Sequence, residues 1–459
     1  MKYLFFLTLV LVMTFTLSAC DGLLNVDPQQ SLDTETVLDN SQNVESALVG
    51  AYSRMGATDG GAATLYGGPL LYLADLLGAD HDELRWSGSF FPQREVWDKA
   101  IPTDNPVVTA VWTNAYNVIN RVNNVISALD VVDEGIRDRV EGEARFIRGL
   151  MYFELVRFYG KAWNDGNPDS NLGVPLVLNP TSSITEENNV SRNTVSEVYA
   201  QILSDLDDAK ELLPSENGYY ADTYAASAIL SRVHLAQGDY DDAALESSRV
   251  IEESDYALVS DYEDVYNASN NTTEDVFALQ VTSQQGANEL QQFYEAEDGG
   301  RGDMDILEGH LDLYEAGDAR LALFDVDGDV SRSGKWTNAI DGNIHIVRLA
   351  EMYLTRAEAN FREGTTVGDT PLNDVNEIRE RADLDPIESL PIFDDLDLED
   401  ILHERKLELA FEGHFIHDLK RTEGSVEGLS FDANELVFPI PEREMDANPA
   451  LEDQQNDGY

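Results

Sequence analysis

The stretch AASAILSRVHLAQGDYDDAALESSRVI, Ala225 to Ile251, decides the fold class. Small and branched apolar residues recur at helical spacing up to Gln237, and Gly238 then ends the run. Glycine takes the left-handed conformation that closes a helix at little cost. Asp239 can cap a second helix, with Ala243, Ala244, Val250 and Ile251 turned inward. Two helices joined by a tight turn, with small residues where they meet, have the rhythm of a tetratricopeptide unit. One such pair cannot bury its apolar face alone, so it predicts further pairs stacked against it.

The chain supplies them on both sides. Upstream, Thr194 and Glu197 form a capping box at the head of a helix. Its face carries Val195, Val198, Ile202, Leu206, Ala209 and Leu213, and Pro214 stops it. Further upstream, Val111, Ala115, Val118, Ile119, Val122, Val125, Ile126 and Leu129 keep one apolar stripe, and Ala144 to Tyr159 continues the pattern. Downstream, a helix is expected from Ile346 to Phe361, stopped by Gly364. Pro371 opens another to Ala382, and a helix from about Leu398 runs into AFEGHFIHDLKR, Ala410 to Arg421. Two regions break the periodicity. Residues 56–104 carry Tyr66, Tyr72, Trp86, Phe90, Phe91 and Trp97, and residues 255–342 carry Phe293, Tyr294, Trp336 and one strand-like run, VFALQV, Val276 to Val281. The expected fold is mainly α, with minor β. It is a tetratricopeptide-type helical scaffold, chiefly residues 105–255 and 344–421, with a loop-rich ligand-binding region from 56–104 and 255–342.

Charge narrows the partners. The 459 residues include 87 Asp and Glu against 30 Lys and Arg, a formal net charge of −57. Nucleic acid binding needs basic patches to neutralise phosphate, so this balance argues against it. Such self-repulsion is tolerable in concentrated salt, where the Debye length falls to about 3 Å, so a salt-adapted acidic surface is expected. The same excess makes chance pairs of carboxylates common, and a close Asp/Glu pair here says little about acid–base catalysis.

The N-terminus reads as a secretion signal. Lys2 precedes an apolar run from Tyr3 to Leu17, then Ser18, Ala19 and Cys20. The run is too short to favour a permanent membrane span. LSAC, Leu17 to Cys20, matches a bacterial lipobox, in which the cysteine is lipidated and becomes the mature N-terminus. Residues 1–19 are therefore expected to be a lipoprotein signal peptide, and 20–459 a single unit. Losing Lys2 takes the net charge from −57 to −58. Cys20 is the chain's one cysteine, which excludes an internal disulfide framework.

Motifs for chemistry are sparse. Glu412, His414, His417 and Asp418 are metal-ligand types, but no third histidine or cysteine joins them, so they read as scaffold. DVDGDV, Asp325 to Val330, fails as an EF-hand: Val330 stands where glycine is required and Trp336 where glutamate is. A looser structural calcium site on Asp325, Asp327 and Asp329 stays open, and no other metal or cofactor is expected. HERKLE is not H-E-x-x-H, and no G-x-S-x-G, P-loop or dinucleotide signature appears. Arg348 with Glu351, Arg356 with Glu358, and Arg405 with Glu404 and Glu408 read as ion pairs between helix neighbours.

Several motifs, in order along nearly the whole chain, resemble the SusD/RagB family of outer-membrane nutrient-binding lipoproteins. After the lipobox come LLNVDPQQSL and VESALVGAYSRM, then VWTNAYNVINRVNNVI (Val111 to Ile126) and EARFIRGLMYFELVRFYG (Glu143 to Gly160). GVPLVL (Gly173 to Leu178) and SRNTVSEVYAQILSDLDDA follow. IHIVRLAEMYLTRAEA (Ile344 to Ala359), ERKLELAFEGH (Glu404 to His414) and DLKR (Asp418 to Arg421) come next, and VFPIPEREMDANPALEDQQNDGY closes the chain. Gly149 stands where the family usually has alanine, Phe415 where arginine is usual, and His417 where an aromatic is typical. The resemblance implies a non-enzymatic lipoprotein on the cell exterior, lipid-anchored in the outer membrane. It would bind an oligosaccharide, or a peptide, and hand it to a SusC-like TonB-dependent transporter. Its expected ligand residues, on loops over the scaffold, are Asp80, Asp82, Arg85, Trp86, Phe90, Phe91, Trp97, Phe293, Tyr294 and Trp336. Two other functions compete: a surface-anchored glycoside hydrolase, and a tetratricopeptide-type protein-assembly lipoprotein.

Overall fold

Capping residues and apolar stripes set the helices. The computed structural model describes residues 38–56, 58–59, 62–63, 65–183, 185–281, 288–297, 299–338, 340–388 and 396–459. The signal segment and the lipidation expected at Cys20 lie outside the described residues. The longer helices are α1 (Ser41–Gly56), α2 (Pro69–Gly78), α3 (Phe91–Trp97), α4 (Pro106–Ser127), α5 (Arg137–Tyr159), α6 (Val195–Leu212) and α7 (Thr223–Gln237). They continue with α8 (Tyr240–Glu253), α9 (Glu289–Tyr294), α10 (Leu349–Glu363), α11 (Pro371–Arg381), α12 (Leu398–Glu408), α13 (Phe415–Arg421) and α14 (Glu442–Ala447).

The capping chemistry is mostly where the sequence puts it. Thr194 and Glu197 form the reciprocal box at α6. Asp222 accepts from Tyr224 N and Ala225 N at α7, whose end is Gly238 at φ 78°. Pro371 sits at the first turn of α11, and Thr370 caps it. Asp239 occupies the cap position of α8, but its carboxylate makes no capping bond and lies 3.8 Å from His234 Nδ1 instead. Successive helices pack as neighbours from α4 through α8, and α8 packs on α10, which carries α11 and α12. Gly149 shows why a small residue is needed on α5: a Cβ there would meet Leu206 Cγ of α6 at 3.0 Å.

The downstream helix begins later than its periodicity suggests. Ile344–Arg348 is a strand, and α10 starts only at Leu349. All five residues are buried, and three are β-branched, which favours a strand covered on both faces. Taking the strands of three or more residues, β1 is Leu84–Trp86, β2 Asp275–Leu279, β3 Met304–Ile306, β4 Phe324–Asp327, β5 Val330–Ser333 and β6 Ile344–Arg348. β2 pairs antiparallel with β6. The other four form an antiparallel sheet in the order β1-β3-β5-β4, so the two aperiodic regions are stitched together.

Residues 56–104 are also less loop-like than expected. α2, PLLYLADLLG, is buried from Pro69 through Leu77, because a helix apolar on every side belongs inside. DVDGDV forms the β4–β5 hairpin, with Asp327 paired to Val330 and Gly328 at φ +66° in the turn. Among the described residues, no group of three or more His, Cys, Asp and Glu could hold a metal ion.

The ion pairs run across the fold, correcting the local pairing expected from spacing. Arg348 bonds Glu412 (2.8 Å), Glu274 (2.5 Å) and Glu408 (3.1 Å) rather than Glu351. Arg381 bonds Glu274 and Glu408, Arg320 bonds Asp318 and Glu404, and Lys335 bonds Glu412. Glu351 pairs with Arg232, Arg356 with Asp374, and Arg405 with Asp418. A buried guanidinium needs carboxylates within reach of its fork, and apart from the local Arg320–Asp318 pair these arginines find them on other elements. Burial alone would raise the Glu408 and Glu412 carboxyls, but these cations outweigh it and hold both well below the usual carboxylate range.

α12 ends at Glu408, before the Ala410–Arg421 stretch that it is expected to run into. Phe411 (φ 63°) and Gly413 (φ 82°) then turn the chain into α13. A Cβ on Gly413 would lie 2.8 Å from Leu71 Cα, so α2 passes there only because the residue is glycine. Burial pushes His414 down to about 3 and His417 far below its ordinary value, so both rings are neutral.

Candidate functional site

The face with exposed aromatic and cationic groups is built on the edge strand β1. Its side chains alternate: Leu84 and Trp86 point inward and Arg85 outward. The chain then turns through Ser87–Phe90 into α3. Trp86 Nε1 donates to Phe90 O (3.1 Å), and Arg94 Nη2 donates to Trp86 O (3.0 Å), so the turn is clamped from both sides. Gly88 is required by contact: a Cβ there would sit 2.5 Å from Asp303 Cγ. Ser87 N donates to Asp303 O at 2.9 Å and extends the β1–β3 pairing by one step.

This turn presents Phe90, 40% exposed, and Phe91, 73% exposed. The Arg301 guanidinium lies over the Phe90 ring, 4.3 Å from its centroid. Arg301 Nε donates to Asp303 (2.7 Å), and its Nη2 reaches Ser89 Oγ (3.2 Å). Arg85 is fixed on Asp305 through Nε (3.0 Å) and Nη2 (2.6 Å), and Asp305 also accepts from Ser87 Oγ and Arg332 Nη1. The result is two exposed rings, one of them under the Arg301 guanidinium, and a second exposed guanidinium, Arg85, on the adjoining strand, each held in place by its carboxylate partner. Such a face can stack a flat apolar surface and donate hydrogen bonds to hydroxyls at its edge.

Of the residues expected to meet ligand, Arg85, Phe90 and Phe91 are on this face. Trp86, Phe293 and Tyr294 lie beneath it, which corrects their expected exposure. Phe293 meets Trp86 and Tyr72 edge-on at 5.2 and 5.1 Å and stands 6.2 Å from Phe90, so it props the turn from below. Tyr294 donates to Asp75 (2.8 Å), which also accepts from Gly413 N. Burial pushes the Asp75 carboxyl up to about 7 against these two bonds. Trp336 is in the core, donating to Phe411 O, on a single turn of 3₁₀ helix, which corrects its expected place on the ligand face. Trp97 is half-buried, stacked on His81 at 4.0 Å with its Nε1 on Leu84 O. Asp80 accepts from Glu427 N at 2.8 Å, and Asp82 is exposed and binds Gly309 N through its carbonyl. Trp86 and Trp336 can be buried because their indole N–H groups find backbone carbonyls, and Tyr294 because its hydroxyl finds Asp75.

Arg301 was not among the expected residues. Its signal lies in GGRGD, residues 299–303, where Gly299 (φ +95°) and Gly302 (φ +58°) turn the backbone tightly around one arginine.

A stacked helical scaffold carrying an aromatic, arginine-flanked loop face defines a binding protein of the helical-repeat class. Residues 24–235 match a SusD-like family described as starch-binding and associating with the outer membrane, and residues 323–459 match the SusD family. The chain belongs to the SusD/RagB family. SusD-like protein P2 of Formosa agariphila is 28% identical over 98% of both chains. A SusD superfamily structure from Bacteroides fragilis is 25% identical with a TM-score of 0.75, covering 90% of this chain and 99% of its own. One from Bacteroides vulgatus, 23% identical, has a TM-score of 0.80 over 92% of this chain and 99% of its own, a likeness of fold.

Proposed function

We propose that the protein binds an oligosaccharide nutrient on the Phe90–Phe91 face and passes it to a SusC-like TonB-dependent transporter, from a lipid anchor at Cys20 in the outer membrane. The observation that carries the binding step is the exposed Phe90–Phe91 pair with Arg301 over one ring, and with Arg85 exposed on the strand that leads into the turn. Aromatic rings stack on the apolar face of a sugar, and guanidinium donors take its hydroxyls. The family description as starch-binding and outer-membrane-associating supports both ligand class and location. The anchor rests on the LSAC motif, and the step is binding and release, with no bond made or broken.

Electrophoresis through gels containing a panel of polysaccharides tests the ligand class. At least one neutral glycan is expected to retard the protein, while retardation by none refutes the binding step. Release of new reducing ends would replace it with a hydrolase. Purification from mild detergent extracts tests the handover. Recovery with a large barrel protein is expected, and recovery always alone contradicts it.

A further inference from the structure

A second cavity lies on the scaffold, between the end of α5, α7 and α13. Its volume is about 540 Å³ with its open mouth. The enclosed part has room for about three waters. Six cationic side chains line it: Arg157, Lys161, Arg232, Arg405 and Arg421 meet carboxylates of Glu154, Asp165, Glu351, Asp418 and Glu358 respectively, whereas Lys420 has no carboxylate within 4 Å among the described residues.

Four buried polar atoms on the cavity's lining residues have no hydrogen-bond partner: Arg157 Nε, Asn164 Oδ1, His417 Nε2 and Arg421 Nη2. Lys420 joins them. Its side chain is 4% exposed, and its Nζ reaches the Arg157 carbonyl only at 3.5 Å. Burial pushes this ammonium down to about 7. Folded proteins rarely leave buried donors unpaired, since each costs on the order of 1–3 kcal/mol. Several such atoms on residues of one cavity ask for a partner that enters it.

The donor set specifies that partner. Arg157 Nε and Arg421 Nη2 are N–H donors, Lys420 adds an ammonium, and neutral His417 can present an Nε2–H. A group that only accepts, and is negatively charged, satisfies them together. Asn164 Oδ1 is the exception, an acceptor that would take the hydroxyl of a hydrogen phosphate or of a sugar carrying the anion, and that sulfate or a carboxylate alone leaves unmet. Room for about three waters fits a tetrahedral oxyanion or a carboxylate and excludes a pyranose ring.

We propose that this cavity binds a small oxyanion, sulfate, phosphate or carboxylate, either free or as the acidic substituent of a sugar. The site is separate from the Phe90–Phe91 face and goes beyond the function proposed for it.

Calorimetric titration of the full chain with sulfate, phosphate and acetate at fixed ionic strength tests it. Saturable binding of at least one is expected. Lys420→Met and Arg157→Met should each weaken it about tenfold or more. Lys406→Met, whose ammonium pairs with Glu83 instead, should leave it unchanged. Should either cavity variant fail to fold, crystals of the wild type soaked in selenate give the same information, with an anomalous peak expected beside Lys420. Galactose 6-sulfate, galactose and sulfate separate the sources. Tighter binding of the sulfated sugar than of sulfate assigns a glycan substituent, and the reverse assigns a free ion. No saturable binding of any anion with no selenate in the cavity, or full affinity in both cavity variants, overturns the proposal. Phe91→Ala should not alter anion binding, so failure at one site is distinguishable from failure at the other.

Discussion

The interior of the C-terminal helices and the Phe90–Phe91 face use the same residue types for opposite ends. Inside, Arg348, Arg381, Arg320 and Lys335 are each enclosed by two or more carboxylates or carbonyl groups and are almost wholly buried. On the face, Arg85 and Arg301 each hold one carboxylate partner and keep 47% and 37% of their side chains in solvent. A chain with 30 cations and 87 carboxylates spends many of its cations on the interior, which leaves the surface acidic. The few arginines left exposed beside aromatic rings therefore stand out as binding groups.

The sharpest way to break this contrast is to remove one arginine from each region. Arg348→Met leaves Glu274, Glu408 and Glu412 short of a cation and should cost about 3–5 kcal/mol in urea unfolding. Arg85→Met should cost less than about 1 kcal/mol. Equal costs would erase the distinction.

Acid and neutral pH probe different parts of the interior. Burial opposes ionisation of Glu351, but Arg232 and its neighbours bring it down to about 2; Arg381, Arg348, Arg320 and Lys335 hold Glu408, and Arg348 and Lys335 hold Glu412, well below their ordinary range. Carboxylates with depressed values contribute stability above about pH 4.5, and it is lost as pH falls toward 2. Asp75 has the opposite sign: its contribution is full below about pH 4 and is lost as pH rises through about 7. Asp75→Asn should flatten the decline between pH 4 and 7 and leave the acid limb intact, as read from Tm against pH. An unchanged neutral limb would show that Asp75 titrates normally.

Salt makes a smaller difference and sorts surface from interior. Raising NaCl from 0.01 to 1 M shortens the Debye length from about 30 to about 3 Å, so Tm should rise as surface repulsion is screened. The penalty of Arg348→Met should be the same at both salts, because its partners are buried. Zinc should change Tm least of all, by less than about one degree, since among the described residues no group of three or more metal-ligand side chains comes together at His414 and His417; a larger rise would restore a metal site.

The helical half of this molecule was largely legible in the sequence, and the binding half was not. Thr194, Glu197, Gly238 and Pro371 act within one turn of themselves, so their effects can be read locally. β1 and β3 are three residues each and lie more than 200 positions apart, too short to show alternation and too distant to suggest pairing. Aromatic residues of the aperiodic regions fall both on the Phe90–Phe91 face and beneath it. Composition does not say which ring faces water, so Trp86, Phe293, Tyr294 and Trp336 were expected at the surface and are buried. The partners of Arg348 and Arg405 were missed for a related reason: burial, which spacing does not reveal, sends a guanidinium to other elements.

Phe91→Ala tests the central claim most directly, through paired measurements of glycan retardation and Tm. The ring is 73% exposed, so its loss should leave Tm within about one degree of wild type while weakening glycan binding roughly tenfold. Full retention of glycan binding at unchanged Tm would contradict the assignment of this face as the ligand site.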